Sequence, residues 1–155
     1  MADTVEQGQV KPSNKIVADS TNLHIQTKKV ETVANVYPGC LVVQGTNDDD
    51  VIVGTANGEV LGWVGYEHTH KKYRPATIDT IQVVNDQIAV INGPGIILVG
   101  RLLSGQTVDK GSRLEAAANG HLSGATVGTD EVVAIAEESV ASTTALTKIL
   151  VRSLI

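Results

Sequence analysis

The stretch that decides the fold runs from Ile96 to Gly124 and reads "IILVGRLLSGQTVDKGSRLEAAANGHLSG". It opens with a mostly aliphatic run of the kind found in buried strands. Glycines then recur every few residues and separate short segments, and Asn119-Gly120 is a residue pair favoured in the tight turns of β-hairpins. The stretch therefore predicts several short strands joined by tight turns, with a hairpin centred on Asn119 and Gly120.

The remainder of the chain continues this pattern of short apolar segments and turn residues. Segments such as "CLVV", "VIVG" and "KILVRSLI" are bounded by turn-forming residues, and Asn85-Asp86 predicts a second hairpin turn. The run from Asp130 to Leu150 contains enough alanine to be helical instead, but its β-branched clusters favour strands. Because no long amphipathic helix is indicated, the chain is predicted to be all-β, as a small β-barrel or a sandwich.

Two parts of the chain differ in character. Residues 1–30 are polar, their apolar side chains follow no period, and Pro12 breaks any helix there. We therefore predict an extended N-terminal arm over residues 1–30, followed by a single β-barrel-like domain over residues 31–155. The length of 155 residues suits one domain with a core of its own.

Composition limits the partners and the compartment. The net charge of −5 argues against nucleic acid and anionic membrane surfaces, because both attract cationic proteins. The single cysteine, Cys40, excludes an intramolecular disulfide and is predicted to be a small buried side chain. No signal peptide and no apolar stretch of transmembrane length is recognisable, so we expect a protein made and kept in a reducing, aqueous compartment.

The pattern Gly-x-x-Val-x-Lys-Gly-x-x-Leu around Lys110 is similar to segments of biotin- and lipoate-carrying domains. In those domains the modified lysine stands at the tip of a hairpin that follows the segment. Here that tip is Asn119-Gly120, and no lysine lies between Lys110 and Lys148. The sequence therefore predicts no swinging cofactor arm.

Two histidines in "EHTHKK" raise the question of a metal site. His68 and His70 would point to the same side of a strand, with Glu67 beside them. A zinc site needs at least one further ligand, which His24, His121 or an aspartate would have to supply. A β-barrel enzyme built on these histidines remains an alternative, but we predict an exposed polar loop with no metal and no catalytic residue.

Three consecutive aspartates, Asp48 to Asp50, raise the same question for calcium. They lack the alternating spacing and the distal carboxylate of a calcium loop. A solvated acidic loop is predicted instead.

The segment "EVLGWVGYE" has apolar side chains on both faces of the strand that it predicts. Leu61 and Trp63 would share one face. Val60, Val64 and Tyr66 would share the other. Such a strand is buried on both sides within the domain or at a subunit contact. We predict that Trp63 and Tyr66 anchor an oligomer interface, since aromatic residues are enriched at interface centres; the competing position for Trp63 is the core.

Several segments, taken in order, resemble the capsid decoration proteins of tailed bacterial or archaeal viruses, also called cement or head-stabilising proteins. They are a Tyr-Pro-Gly turn, the strand "GWVGYE", the approach to Gly-Pro-Gly, the core "LLSGQTVDKGSRL", a glycine-containing hairpin and the strand "VAIAE". The order of these segments carries the resemblance, which spans roughly residues 36 to 155.

The resemblance implies a small β-barrel or β-clip-like domain with no enzymatic activity and no cofactor. It implies a homotrimer in the virion, bound to the major capsid protein on the outer capsid surface after synthesis in the host cytoplasm. Because the arm is polar and extended, we assign capsid contacts there to Val5, Val10, Lys11, Lys15 and Ile16. The alternative is a receptor- or glycan-binding β-module of a virion fibre or surface protein, which would expose aromatic side chains on a concave face.

Overall fold

The computed structural model describes residues 11–32, 35–56, 58–126, 128 and 130–155. Over these residues the chain forms short strands, with a single turn of 3₁₀ helix at Lys71–Tyr73 and a tight, non-helical turn at Ala118–Gly120. The strands are β1 (Val17–Asp19), β2 (His24–Val30), β3 (Leu41–Gln44), β4 (Asp50–Val53), β5 (Gly62–Val64), β6 (Gln87–Asn92), β7 (Ile97–Leu102), β8 (Thr107–Val108), β9 (Arg113–Ala116), β10 (Leu122–Gly124), β11 (Val132–Ala136), β12 (Val140–Ala141) and β13 (Thr147–Ser153). The prediction of an all-β, barrel-type fold is confirmed. No helix among the described residues has the length and apolar character to cross a membrane.

Strands β2, β4, β3, β5 and β6 close, in that order, into the first barrel. Strand β2 runs antiparallel to β6 and meets β4 in parallel at its C-terminal end. The interior of a five-stranded barrel is narrow, so small side chains fill it. These are mostly valines, and the interior set is Val30, Val36, Cys40, Val42, Val51, Val64, Ile88 and Val90.

A second ring of strands follows in the chain. Strands β7, β10, β9, β11 and β13 pair in that order. Strand β13 also pairs with β7, along the whole length of β7, and so completes the ring. Strand β1 adds to β7, and β8 and β12 form a separate ribbon. The core of this ring includes Trp63 and Ile91, which point outward from the first barrel, so the two barrels share it.

Strand β5 forms the wall between the two cores. Trp63 lies in the shared core and Val64 lies in the interior of the first barrel, which confirms that this strand is buried on both sides. The strand is shorter than predicted, so the alternation does not reach Tyr66. That side chain lies in the shared core together with Trp63.

The prediction of an arm over residues 1–30 is wrong for residues 16–30. Ile16 is fully buried, β1 pairs with β7, and β2 pairs with β6 from His24 to Lys29. The sequence pattern does not reveal β2, because the first four residues of the strand are exposed on the barrel surface. Their exposure hides the alternation expected of a half-buried strand. Residues 1–10 lie outside the described residues.

The turn chemistry was predicted better than the strands around it. Asn119 and Gly120 both adopt positive φ, and they join β9 to β10 in an antiparallel hairpin as predicted. Asn85 also adopts positive φ and precedes β6. The segment before it forms no strand, however, so the hairpin predicted there is wrong. The helical alternative for Asp130 to Leu150 is also wrong, because β11, β12 and β13 occupy this run.

Candidate functional site

A cleft of about 530 Å³ opens on the outer surface of the first barrel. Strands β2 and β6 form one side of it, and the loop over residues 65–74 forms the other. Val30, Ile88 and Val90 fill the barrel interior, so the residues alternating with them in these strands face outward. We call this site the polar cleft, because most of its lining side chains are polar: Thr27, His68, His70, Lys72, Tyr73 and Gln87, above Ile88 and Ala89.

Hydrogen bonds fix the loop that forms the outer wall of the polar cleft. The amide of Ala89 donates to the buried hydroxyl of Thr69 at 3.1 Å, which ties the loop to β6. The guanidinium of Arg74 donates to the carbonyls of Glu67 and Thr69, each at 3.0 Å. The hydroxyl of Tyr66 donates to the carbonyl of Pro75 at 3.0 Å. The wall is thus held in place without a ligand.

The polar cleft presents groups that the protein does not use itself. Over the described part of the chain, the side chains of Thr27, Lys72, Tyr73 and Gln87 make no hydrogen bond or ion pair. The ammonium of Lys72 lies 5.4 Å from the centre of the Tyr73 ring. These hydroxyl, amide and ammonium groups are therefore available to a ligand.

The two histidines of the polar cleft differ in their hydrogen bonding. Nδ1 of His70 accepts a hydrogen bond from the backbone amide of Lys72 at 3.2 Å. The neutral ring then carries its proton on Nε2, which can donate outward. Nδ1 of His68 is buried and has no partner among the described residues.

The metal site considered for "EHTHKK" is not assembled. Both carboxylate oxygens of Glu67 accept hydrogen bonds from backbone amides, those of Ile16 and Val17, at 3.0 Å each. Glu67 therefore clamps the start of β1 onto the domain. Within the described ranges, no three His, Cys, Asp or Glu side chains gather in a way that could hold a metal ion.

The aspartate run forms a loop tied to β2. The ammonium of Lys29 lies 3.2 Å from the carboxylate of Asp50, and Asn47 donates to the same carboxylate at 2.7 Å. The hydrogen bond from Asn47 and the pairing with Lys29 lower the pKa of Asp50. The ammonium of Lys28 donates to the carbonyl of Asp48 at 2.7 Å. Both lysines beside the polar cleft are therefore engaged.

The residues assigned to capsid contact have different positions. Val5 and Val10 lie outside the described residues. Lys11 is held by the domain, with its ammonium 2.5 Å from the carboxylate of Glu138. Lys15 is exposed, whereas Ile16 is fully buried and cannot contact a capsid through its side chain.

The two predicted oligomer anchors are buried within one copy of the chain. Trp63 is fully buried, and its indole N–H donates to the hydroxyl of Ser153 at 3.1 Å. Tyr66 is 7% exposed. The assignment to an oligomer interface is therefore corrected: an enclosed side chain has no surface left for a second copy, and the competing core position holds for Trp63.

Cys40 lies in the core of the first barrel, and Lys110 lies in a turn. Cys40 is buried in the first barrel, and burial raises the pKa of its thiol to about 11, which disfavours the reactive thiolate. Lys110 lies in the turn after β8, where its backbone amide donates to the hydroxyl of Ser139 at 3.0 Å.

Arg101 is the polar residue that sequence reasoning missed. It is fully buried in β7, and its guanidinium donates to the carbonyl of Pro38 at 3.0 Å, to the carbonyl of Leu146 at 3.2 Å and to the carbonyl of Ile78. It also lies 2.8 Å from the carboxylate of Asp79. A cation in an otherwise apolar strand was the signal in the sequence, because such a charge is buried only when it is paired.

In fold, the chain is similar to a solved structure described as the head fiber gp8.5 N base in bacteriophage phi29. The TM-score is 0.55, and the alignment covers 84% of this chain and 93% of that chain at 13% identity. No family model and no curated protein matches the sequence. At this identity the likeness shows a shared fold.

Proposed function

We propose that the protein is a structural component of a viral particle that docks on the outer surface of an icosahedral capsid and stabilises the shell. The observation that carries this proposal is the fold, which the chain shares with nearly the whole N base of a phage head fiber. The resemblance of the sequence to capsid decoration proteins supports the same role. It rests on the order of turns and strands in the sequence and is therefore separate from the similarity in fold.

The proposed role is binding rather than catalysis. The cysteine is buried with a raised thiol pKa. Other buried polar side chains serve the fold, as Arg101 does by joining three backbone carbonyls and Ser153 by accepting from Trp63. These groups are structural parts of the barrels.

We assign the capsid contact to the segment that precedes Ile16, and the major capsid protein is its partner. The ion pair of Lys11 with Glu138 and the clamp of Glu67 fix the end of this segment on the domain. Residues further toward the N-terminus, including Val5 and Val10, and the exposed Lys15 then reach the shell. Weak contacts suffice, because many copies on one shell act together and each copy that binds only the assembled shell stabilises it.

Co-sedimentation with purified capsids, before and after shell expansion, tests the proposal. The full chain is expected to pellet with capsids and to delay their thermal disruption. If the full chain pellets neither with unexpanded nor with expanded capsids, the capsid role is overturned.

A variant lacking residues 1–10 tests the segment. It keeps β1 and β2, whereas deletion of residues 1–30 would remove two strands and open the first barrel. Fluorescence of Trp63, the single tryptophan, reports whether the shortened chain is folded. Unchanged binding by the folded variant would refute the role of residues 1–10 and leave the capsid role standing.

We further propose a homotrimer. Analytical ultracentrifugation should give three times the 16.2 kDa mass of one chain. A monomer at all concentrations would contradict it.

A further inference from the structure

We propose that the polar cleft binds an acidic carbohydrate, a sugar ring that carries a carboxylate. This inference goes beyond capsid docking and does not depend on it, because the polar cleft lies on the first barrel and is complete in a single copy of the chain. Its volume of about 530 Å³ is in the range of clefts that hold small organic ligands.

The unpartnered groups of the polar cleft match the chemistry of a sugar. The hydroxyls of Thr27 and Tyr73 and the amide of Gln87 can each donate and accept, as sugar hydroxyls do. None of these side chains has a hydrogen-bond partner among the described residues. Nε2 of His70 adds a donor, because its Nδ1 already accepts from the backbone. Ligand hydroxyls therefore meet groups that lose no protein hydrogen bond on binding.

One cation and one aromatic ring complete the match. Lys72 is the lysine among the lining residues, and its ammonium makes no ion pair within the described part of the chain, so it can bind a carboxylate. The half-buried ring of Tyr73 can pack against the apolar face of a sugar ring, while Ile88 and Ala89 lie buried beneath the polar cleft. This is the aromatic side chain on a concave face that the glycan-binding alternative required.

The charge distribution disfavours other anionic ligands. A nucleic acid presents a row of phosphates and requires several free cations. Here the neighbouring Lys28 and Lys29 are engaged by the loop at Asp48 to Asp50, and the chain has a net charge of −5. A single available ammonium among neutral hydrogen-bonding groups suits a ligand with one carboxylate and many hydroxyls.

Titration of the isolated full chain, followed by calorimetry or by NMR shifts, tests the inference. The probes are a glucuronic acid disaccharide, free sialic acid, the neutral glucose disaccharide, inorganic phosphate and a short acidic peptide. At least one acidic sugar should bind about tenfold or more tightly than the neutral sugar, because a charge-assisted hydrogen bond is lost without the carboxylate. Absence of binding by both acidic sugars, or tighter binding of phosphate or of the acidic peptide, would overturn the inference.

A pair of neighbouring lysines supplies the matched control. Lys72→Gln removes the lining ammonium and should weaken binding of the acidic sugar about tenfold, while leaving affinity for the neutral sugar nearly unchanged. Lys71→Gln removes the same charge at an exposed position outside the lining and should leave affinity within about twofold. Equal losses in the two variants would refute the assignment of the carboxylate to Lys72. These titrations use no capsid, so failure of sugar binding and failure of capsid docking are separate results.

Discussion

Replacement of Arg101 by methionine should strongly destabilise the protein. Methionine fills much of the space of the arginine side chain but supplies no donor. The substitution leaves the carbonyls of Pro38, Ile78 and Leu146 without the guanidinium that now joins them. These carbonyls belong to three separate loops, so one side chain holds them against β7.

The expected cost is about 3–5 kcal/mol, because each of the three carbonyls left without its donor costs about 1–3 kcal/mol and local relaxation recovers part of that sum. For a chain of this size that loss lowers the melting temperature by roughly 6–20 °C. Asp79→Asn is the contrasting variant, because Asp79 is 49% exposed while Arg101 is fully buried. It should cost about 1 kcal/mol or less, since water screens the pair and Arg101 keeps its three carbonyls.

Urea denaturation, followed by the fluorescence of the single tryptophan, Trp63, measures both variants. A loss below about 1 kcal/mol for Arg101→Met would refute the reasoning, and so would an equal loss for the two variants. Burial on its own raises the pKa of Asp79, but hydrogen bonds from Arg101 and Lys148 lower it overall. The pair therefore stabilises the protein above the ordinary carboxyl pKa, and this contribution disappears as the pH falls through the lowered value. Asp79→Asn should abolish that part of the acid sensitivity.

Three further predictions follow from other contacts. Glu67→Gln keeps one acceptor for the amides of Ile16 and Val17 and should cost about 1 kcal/mol. Faster hydrogen exchange confined to Ile16 and β1 would support the clamp, and unchanged exchange would contradict it. Burial and the nearby Asp130 raise the pKa of Glu115, so its ionised form opposes folding at neutral pH and this cost vanishes as the pH falls through the raised value. Glu115→Gln should therefore be more stable than the parent protein at pH 7 by up to about 1 kcal/mol, with a smaller difference in acid, as urea titrations at two pH values would show. Cys40, with its thiol pKa of about 11, should resist iodoacetamide at pH 8 until urea unfolds the chain. Mass spectrometry measures the labelling, and rapid modification of the native protein would disprove the prediction.

Residues whose structure is set by near neighbours in the chain could be predicted from the sequence. The positive φ of Asn119 and Gly120 follows from the residue types that a tight hairpin turn requires. Strands β7 and β13 follow from the β-branched and aliphatic segments Ile97–Val99 and Ile149–Val151, residue types that favour buried strands.

Features that depend on distant partners could not be predicted. Strand β2 is stabilised mainly by β6, which lies far along the chain, and its exposed residues conceal its role in closing the barrel. The candidate site shows the same limit. The sequence drew attention to His68 and His70, but Thr27 and Gln87 join them only because two strands pair and a loop folds over them.

The position of β5 has a consequence for unfolding. Its consecutive residues Trp63 and Val64 belong to different cores, and Gly62 lies so close to β6 that an added Cβ would stand 2.6 Å from the carbonyl of Ile91. Neither barrel can lose its packing without exposing this shared strand to water. We therefore expect the two barrels to unfold in one cooperative transition, as a single thermodynamic unit, although each has a separate ring of strands.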